Sequence, residues 1–328
     1  MRTIRRIYFY LVALVSLEVV VWGVIGMART LLQENRFGAG TILAGSLALT
    51  LVGLPVFLLH WGLAQRSAAR DPEERAERVR AVFFYAALVG TLIPVVQSGM
   101  ALINRLLVAL MRLPAASALV GGNQSAWDNL IALLVNSLAA LYLYTMLRRD
   151  RRMPEALPAL NEVRRLFRVV WLLYGLGLAI FGVQMLVGYI LLPVTSTVRA
   201  GSAALANAVT LLAAGVPLWV FTWRAMQAGL DQPGERDSLL RWVVLYGLSL
   251  AGVGTVLTTA GMALSVLLRK LLGDAVTWNQ LLIAIRQPLS LAIPLGGVWA
   301  YYGGILQWQI AQTPDDNRRA ALRRLYHY

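Results

Sequence analysis

The residues IYFYLVALVSLEVVVWGVIGM at positions 7–27 decide the fold class of this chain. They form an uninterrupted run of 21 residues in which the only charged side chain is Glu18. The hydrocarbon core of a bilayer is about 30 Å thick, and a helix needs about 20 apolar residues to cross it. Because lipid offers the backbone no hydrogen-bond partner, a spanning segment of this kind must be helical. The stretch therefore predicts a transmembrane helix.

Seven further apolar runs follow, and the composition of the whole chain agrees with them. Of the 328 residues, 58% are hydrophobic and only 14% are charged, whereas a soluble domain carries about 25% charged residues. This composition excludes a water-soluble fold and a disordered chain. We therefore expect an all-α polytopic bundle of about eight transmembrane helices. The predicted spans cover residues 6–32, 41–64, 79–111, 127–147, 164–192, 202–226, 240–272 and 280–309.

The chain also repeats itself, and the repeat predicts its domain organisation. Residues 4–8 (IRRIY) match residues 163–167 (VRRLF), and residues 53–65 (GLPVFLLHWGLAQ) match residues 215–227 (GVPLWVFTWRAMQ). The repeating unit holds four helices, and an even number of helices gives both copies the same orientation. We expect two parallel four-helix repeats, which occupy residues 1–162 and 163–321.

The last seven residues repeat the opening of the chain. Residues 322–328 (LRRLYHY) match residues 4–10 (IRRIYFY) in register. We interpret them as the start of a truncated third repeat. The alternative is an amphipathic tail that reuses the motif.

The distribution of charge predicts the orientation of the chain in the membrane. Thirty basic and sixteen acidic residues give a formal net charge of +14. Twenty-two of the basic residues lie at the N-terminus, in the connections after spans 2, 4 and 6, and in the tail, against seven in the opposite connections. Basic residues concentrate on the cytoplasmic side of membrane proteins, so we expect both termini in the cytoplasm and a multi-pass protein of the inner (plasma) membrane. The basic face is then expected to meet anionic lipid, a second copy or a membrane partner, and not nucleic acid.

The residue types needed for catalysis or metal binding are scarce. The chain has no cysteine, which excludes disulfides, thiolate nucleophiles and cysteine-ligated metals. His60 and His327 have no second metal-type ligand at helical spacing. Residues 71–74 (DPEE) offer adjacent carboxylates, but a helix start with an Asp cap and a proline at the first position explains them better. We expect no catalytic residue, no cofactor, no metal and a protein that is not an enzyme.

Glu18 is the sharpest candidate for a functional residue, because an ionised carboxylate in the middle of a span costs several kcal/mol. One hypothesis is a proton or cation site, and the other is a protonated carboxyl hydrogen-bonded to a neighbouring helix. We favour the second, because Ile93 and Gly254 occupy the corresponding positions of two other odd-numbered spans. Arg286 is the candidate partner of Glu18. Alternatively, residues 278–285 form a short interfacial helix and Arg286 extends outward to the membrane surface.

Four other side chains and one histidine complete the candidates. Gln97 and Gln184 lie inside spans, where we interpret them as interhelical hydrogen-bonding residues. Trp61 and Trp223 lie near the ends of spans 2 and 6, a position typical of tryptophans that anchor a helix at the headgroups. We interpret His60, which precedes Trp61, as an interfacial residue and not as a catalytic residue.

The chain resembles a family of bacterial polytopic membrane proteins classed as a domain of unknown function. The resemblance rests on the Arg-Arg opening motif at residues 4–10 and on the Gly-Leu-Pro…His-Trp segment at residues 53–61. It implies that the domain is present here in tandem copies. The resemblance covers essentially the whole chain. It implies a membrane-embedded helical domain and no established activity.

Two functions remain open at this stage. We expect a non-enzymatic scaffold or sensory component of the membrane, and the alternative is a transporter or channel for small solutes or ions. Transport predicts a polar, water-accessible cavity that contains Glu18 at mid-depth. A scaffold predicts a dry interior packed by leucine and glycine.

Overall fold

The computed structural model describes residues 2–32, 39–154, 157–191, 198–230, 238–273 and 277–311, and these residues contain helices and no strand. Eight of the helices are long. They are α1 (Arg2–Leu32), α2 (Ala39–Arg70), α3 (Arg78–Leu110), α4 (Ala126–Asp150), α5 (Leu157–Ile190), α6 (Val198–Gln227), α7 (Leu239–Leu271) and α8 (Trp278–Ala311).

Each of these eight helices is long and apolar enough to cross a membrane, so the prediction of an all-α, eight-span membrane protein is confirmed. Several helices continue past the apolar run that predicted them. Thus α2 extends to Arg70, six residues beyond its predicted end. A helix can continue in this way because polar side chains beyond the hydrocarbon meet water or headgroups. The predicted start of a third repeat, residues 322–328, lies outside the described residues.

The chain divides into two compact units. The first unit comprises residues 1–109 and 114–168, and the second comprises residues 110–113 and 169–328. The predicted boundary between residues 162 and 163 falls inside α5, whose first turns still pack on the first unit. There the ring of Phe167 lies 5.1 Å from the ring of Tyr85 on α3. Because α5 runs unbroken through this region, no change of secondary structure marks the boundary.

In the first unit, α1 packs against α2 and α4, and an aromatic cluster joins α2 to α3. The ring of Trp61 lies 5.0 Å from Phe83 and 5.8 Å from Phe84, and all three rings are buried. Such ring pairs add stabilisation beyond the apolar area that they bury. This cluster forms the base on which the charged groups described below are held.

In the second unit, glycines permit close helix crossings. A Cβ atom added to Gly175 on α5 would lie 2.7 Å from the backbone nitrogen of Trp219 on α6. A Cβ atom added to Gly252 on α7 would lie 2.6 Å from the Cβ of Trp299 on α8. Lipid provides no hydrophobic drive for helices to associate, so close backbone packing of this kind stabilises the bundle.

Two helix starts in the first unit follow the rules of capping. The Asp71 side chain accepts a hydrogen bond from the backbone nitrogen of Glu73 at 2.9 Å, and Pro72 opens the short helix Pro72–Arg75, as the sequence predicted. Ser125 and Asp128 form a capping box at the start of α4. The backbone oxygen of Asp128 also accepts a hydrogen bond from Arg29 Nη2 at 2.8 Å.

The last long helix corrects one prediction. Residues 278–285 do not form a separate interfacial helix, because α8 is continuous from Trp278 to Ala311 and includes Pro288 and Pro294. A proline inside a helix removes one backbone hydrogen bond. Ending the helix there would instead leave several backbone groups without partners, which is more costly in lipid.

Candidate functional site

A group of buried charged residues in the first unit lies where α1 and α3 begin and where α2 and α4 end. We call this region the arginine end. At its centre is Arg80, on the first turn of α3, which is only 2% exposed. Its Nε atom donates to Asp150 Oδ2 at 2.6 Å and its Nη2 atom to Asp150 Oδ1 at 3.3 Å. This bidentate pair fixes both the position and the plane of the guanidinium group.

The remaining donors of Arg80 reach two further helices. Its Nη1 atom donates to the Tyr10 hydroxyl on α1, and its Nη2 atom donates to Gln65 Oε1 on α2, both at 3.0 Å. The Arg80 guanidinium carbon also lies 5.1 Å from the centre of the Phe84 ring, which is close enough for a cation–π interaction. One buried side chain therefore joins α1, α2, α3 and α4.

A second buried cation holds the connection between α2 and α3. Arg6 on α1 donates from Nε to Glu74 Oε2 at 2.8 Å, and it also forms an ion pair with Glu77. The capping interpretation of residues 71–74 accounts for Asp71 but did not anticipate this pairing of Glu74. The Arg6 ion pairs attach residues 71–77 to α1.

A cavity of about 340 Å³ opens at the arginine end. Its charged lining residues are four arginines and one aspartate: Arg66, Arg75, Arg80, Arg149 and Asp150. The uncharged lining residues are Gln65, Ala68, Ala69, Tyr142, Met146 and Met153. Since Arg80 and Asp150 are paired with each other, the three other arginines give the cavity a net positive charge.

Several side-chain hydrogen-bond donors around this cavity have no acceptor among the described residues. The guanidinium groups of Arg66, Arg75 and Arg149 form no ion pair or hydrogen bond with another residue that the structure describes. The arginine side chain has only hydrogen-bond donors, so it is the amide oxygen of Gln65 that faces Arg80. The Nε2 atom of Gln65 therefore points away from Arg80. That Nε2 atom is buried and has no hydrogen-bond partner among the described residues. The cavity thus presents unused donors and no unused acceptor carboxylate.

The second unit repeats part of this arrangement. Arg241 Nη2 donates to Gln227 Oε1 at 3.3 Å, and the Trp223 indole donates to the Tyr301 hydroxyl at 2.8 Å, as Trp61 does to Tyr142 at 2.7 Å. Aligning the two units on these pairs shows where they differ. Ala228, Trp308 and Gln309 stand where the first unit has Arg66, Arg149 and Asp150. The second unit therefore lacks two of the cavity arginines.

Glu18 lies away from this cavity. It is half-buried on α1, and a Cβ atom added to Gly90 on α3 would overlap its Oε1 atom. The Oε1 atom is enclosed and has no hydrogen-bond partner in the described part of the chain. The hydrogen bond to a neighbouring helix that the structural hypothesis predicted is therefore not formed through this atom, and the carboxyl group packs against Gly90 instead.

The other intramembrane candidates have different surroundings from those expected. Arg286 Nε donates to the backbone oxygen of Gly188 on α5 at 2.8 Å. The Gln97 side chain is exposed and that of Gln184 is half-buried. Neither forms a hydrogen bond with another residue in the described ranges, so the interhelical bonds predicted for them are absent there.

The predicted headgroup anchors are interior residues. Trp61 is 5% exposed and Trp223 is 6% exposed, and each indole donates to a tyrosine hydroxyl on a neighbouring helix. Their burial follows from the aromatic rings that surround them, which a sequence position near a helix end does not reveal. His60 is half-buried, and its ring lies 5.7 Å from that of Tyr8 on α1.

Sequence reasoning missed the arginine end for an identifiable reason. Arg80 stands five residues before Tyr85 at the start of a helix, a spacing that Arg5 and Tyr10 also show, so this spacing indicates only the start of a helix. Asp150 stands inside the basic run at residues 148–152 (RRDRR). A single carboxylate among four arginines was the available signal. Among the described residues, no three His, Cys, Asp or Glu side chains are grouped so that they could hold a metal ion.

The comparisons with known proteins agree with the repeat. No curated protein and no solved structure matches the chain. The family model described as Domain of unknown function (DUF5671) matches residues 6–147 and again residues 165–297. The two matches together cover well over half of the sequence, and each falls on one of the four-helix segments. The chain is therefore a member of the DUF5671 family and carries two tandem copies of its domain.

Proposed function

We propose that this multi-pass membrane protein is a non-enzymatic sensory or scaffold component that binds an anionic ligand at the arginine end of its first unit. The observation that carries the proposal is the cavity in which Arg66, Arg75 and Arg149 have no partner of their own. Guanidinium groups recognise carboxylate and phosphate oxygens through paired hydrogen bonds, and they do so best where water is partly excluded.

The surroundings of the cavity suggest how binding is transmitted. Arg75 lies on the connection that the Arg6 ion pairs attach to α1, and Arg80 links four helices through its hydrogen bonds. An anion that draws Arg75 and Arg149 together acts on the α2–α3 connection and on the end of α4 at once. A ligand can shift a conformational equilibrium only through such differential contacts.

The chemistry of the lining supports binding and not catalysis. The guanidinium of arginine does not lose its proton at physiological pH, so it is a poor general acid or base. The lining carboxylate, Asp150, is bonded to Arg80 at 2.6 Å. For the alternative of transport, the expected polar cavity contained Glu18. The arginine-end cavity is not lined by Glu18, which packs against Gly90.

The orientation completes the proposal. The excess of basic residues in the connections at this end supports a position on the cytoplasmic side of the inner (plasma) membrane, with both termini in the cytoplasm. Anionic lipids of that leaflet attract clustered arginines. A second copy or another membrane protein then receives the signal.

The proposal is tested with the full-length chain in nanodiscs of phosphatidylcholine, with and without an added mixture of phosphatidylglycerol and phosphatidic acid. A ligand that binds only the folded state raises the unfolding temperature. We expect a higher unfolding temperature in the anionic discs and no ion flux through the protein in sealed vesicles. Equal unfolding temperatures in both kinds of disc would contradict anion binding, and a protein-dependent flux would favour transport.

A further inference from the structure

Resting on the anion-binding function proposed above, we infer that the arginine-end cavity receives the phosphomonoester headgroup of a membrane lipid, whose acyl chains lie along α2 and α4. The charge of the site is the first reason. Four arginines and one aspartate line the cavity, and the pair of Arg80 with Asp150 leaves three cationic groups uncompensated. A phosphomonoester carries between one and two negative charges near neutral pH, more than a phosphodiester can offer.

The donors of the cavity match the acceptors of such a headgroup. A phosphomonoester presents three terminal oxygens, each a strong hydrogen-bond acceptor. Arg66, Arg75 and Arg149 supply three forked donors, and Gln65 Nε2 adds a buried donor that lacks a partner. A buried donor without a hydrogen-bond partner destabilises the fold. Because the Nε2 atom is enclosed, a ligand oxygen accepts from it only after the Gln65 side chain turns toward the cavity.

The size of the cavity limits what enters it. About 340 Å³ lies at the lower end of the range of about 300–1,000 Å³ for small-molecule sites. A phosphate with its glycerol carbons fits such a volume, whereas two acyl chains do not. The chains of a lipid must therefore lie outside the cavity.

The apolar surface beside the cavity provides a place for them. Met146 and Met153 are among the lining residues, so the site is not purely polar. Leu138 lies one turn from Tyr142 on α4 and is 67% exposed, and Leu58 lies two turns from Gln65 on α2 and is 57% exposed. The Trp61 indole donates a hydrogen bond to the Tyr142 hydroxyl, so α2 and α4 are neighbours here. A headgroup with attached chains uses both the cationic and the apolar surfaces, and a free phosphate uses only the first.

The described residues of the second unit do not form this site. Ala228 and Trp308 replace two of the three available arginines, although the Arg241–Gln227 and Trp223–Tyr301 contacts are retained. We therefore expect one lipid of this class for each chain.

The test is native mass spectrometry of the full-length protein, titrated with phosphatidic acid, phosphatidylglycerol or glycerol 3-phosphate. Arg149→Gln is the test variant. Arg148→Gln is its matched control, because Arg148 is an adjacent exposed arginine that does not line the cavity. We expect one phosphatidic acid to be retained, and we expect Arg149→Gln to weaken that binding about tenfold, the loss of one charge-assisted contact. Arg148→Gln should bind as the unsubstituted protein does.

The other outcomes separate the two proposals. Equal retention of phosphatidylglycerol and phosphatidic acid would overturn the phosphomonoester assignment and leave anion binding intact. If glycerol 3-phosphate binds as tightly as the lipid, a free phosphate ester is the ligand and the lipid assignment is wrong. Binding of no anionic lipid and of no phosphate ester would contradict the proposed function as well.

Discussion

Arg80 Nε and Asp150 Oδ2 lie 2.6 Å apart, although 70 positions separate the two residues in the chain. The pair connects the first turn of α3 to the last turn of α4 and is almost fully removed from solvent. A buried ion pair contributes little net stability compared with apolar residues of similar volume. Removing one member is far more costly, because the other charge is left buried without a partner.

We therefore expect Asp150→Asn to destabilise the first unit by about 3–5 kcal/mol, since Arg80 keeps its charge and loses its counterion. The free energy of unfolding in mixed micelles measures this effect. The double variant Arg80→Met, Asp150→Leu is the control, and it should recover most of the loss because neither charge remains. If Asp150→Asn unfolds like the unsubstituted protein, the pair is not formed.

The Arg6 ion pairs give a second prediction. Arg6→Gln removes the cation that holds Glu74 and Glu77, so the connection between α2 and α3 should open more often. Trypsin should then cleave after Arg75 several times faster. Arg5→Gln is the matched control, because Arg5 is the exposed neighbour of Arg6 on the same helix. Equal cleavage rates for the two variants would show that Arg6 does not hold the connection.

A third prediction concerns Glu18. Its Oε1 atom is enclosed against Gly90 and has no hydrogen-bond partner in the described ranges, and glutamine has nearly the same shape. Glu18→Gln should therefore change the free energy of unfolding by less than about 0.5 kcal/mol. Asp128→Asn serves as the positive control and should cost about 1 kcal/mol, because Asp128 belongs to a capping box and contacts Arg29. A large loss of stability in Glu18→Gln would show that the carboxyl group has a partner in the folded protein.

The orientation is tested with single cysteines, since the chain contains none. Arg152→Cys lies after α4 at the arginine end, and Ala116→Cys lies in the connection between α3 and α4. A membrane-impermeant maleimide added to intact cells should label position 116 and not position 152. Labelling of position 152 from outside would invert the proposed topology.

The sequence was sufficient to predict the helices but not the site. Eight apolar runs and the match of residues 53–65 to 215–227 identify the spans and the tandem units, because lipid imposes length and composition on every crossing segment. The sequence does not predict in the same way which side chains are buried within the bundle. The position of Trp61 near a helix end predicts a headgroup anchor, but the rings of Phe83 and Phe84 pack against it.

The charged residues illustrate the same limit. Asp150 stands among four arginines at residues 148–152, and local sequence does not reveal which distant arginine it meets. That choice depends on how α3 and α4 pack, which places Arg80 and not a residue of the basic run against the carboxylate. Glu18, the most conspicuous residue in the sequence, lies away from the cavity because its helix position directs it toward Gly90.

The central claim is that the arginine-end cavity, and not the overall positive charge, binds an anionic group. The most direct measurement compares two triple variants of equal charge for retention of phosphatidic acid. One is Arg66→Gln, Arg75→Gln, Arg149→Gln, and the other is Arg5→Gln, Arg70→Gln, Arg148→Gln, whose three arginines are exposed and do not line the cavity. We predict that the first loses specific binding and that the second keeps it. Equal losses in both variants would mean that diffuse surface charge accounts for the binding, which contradicts a built site.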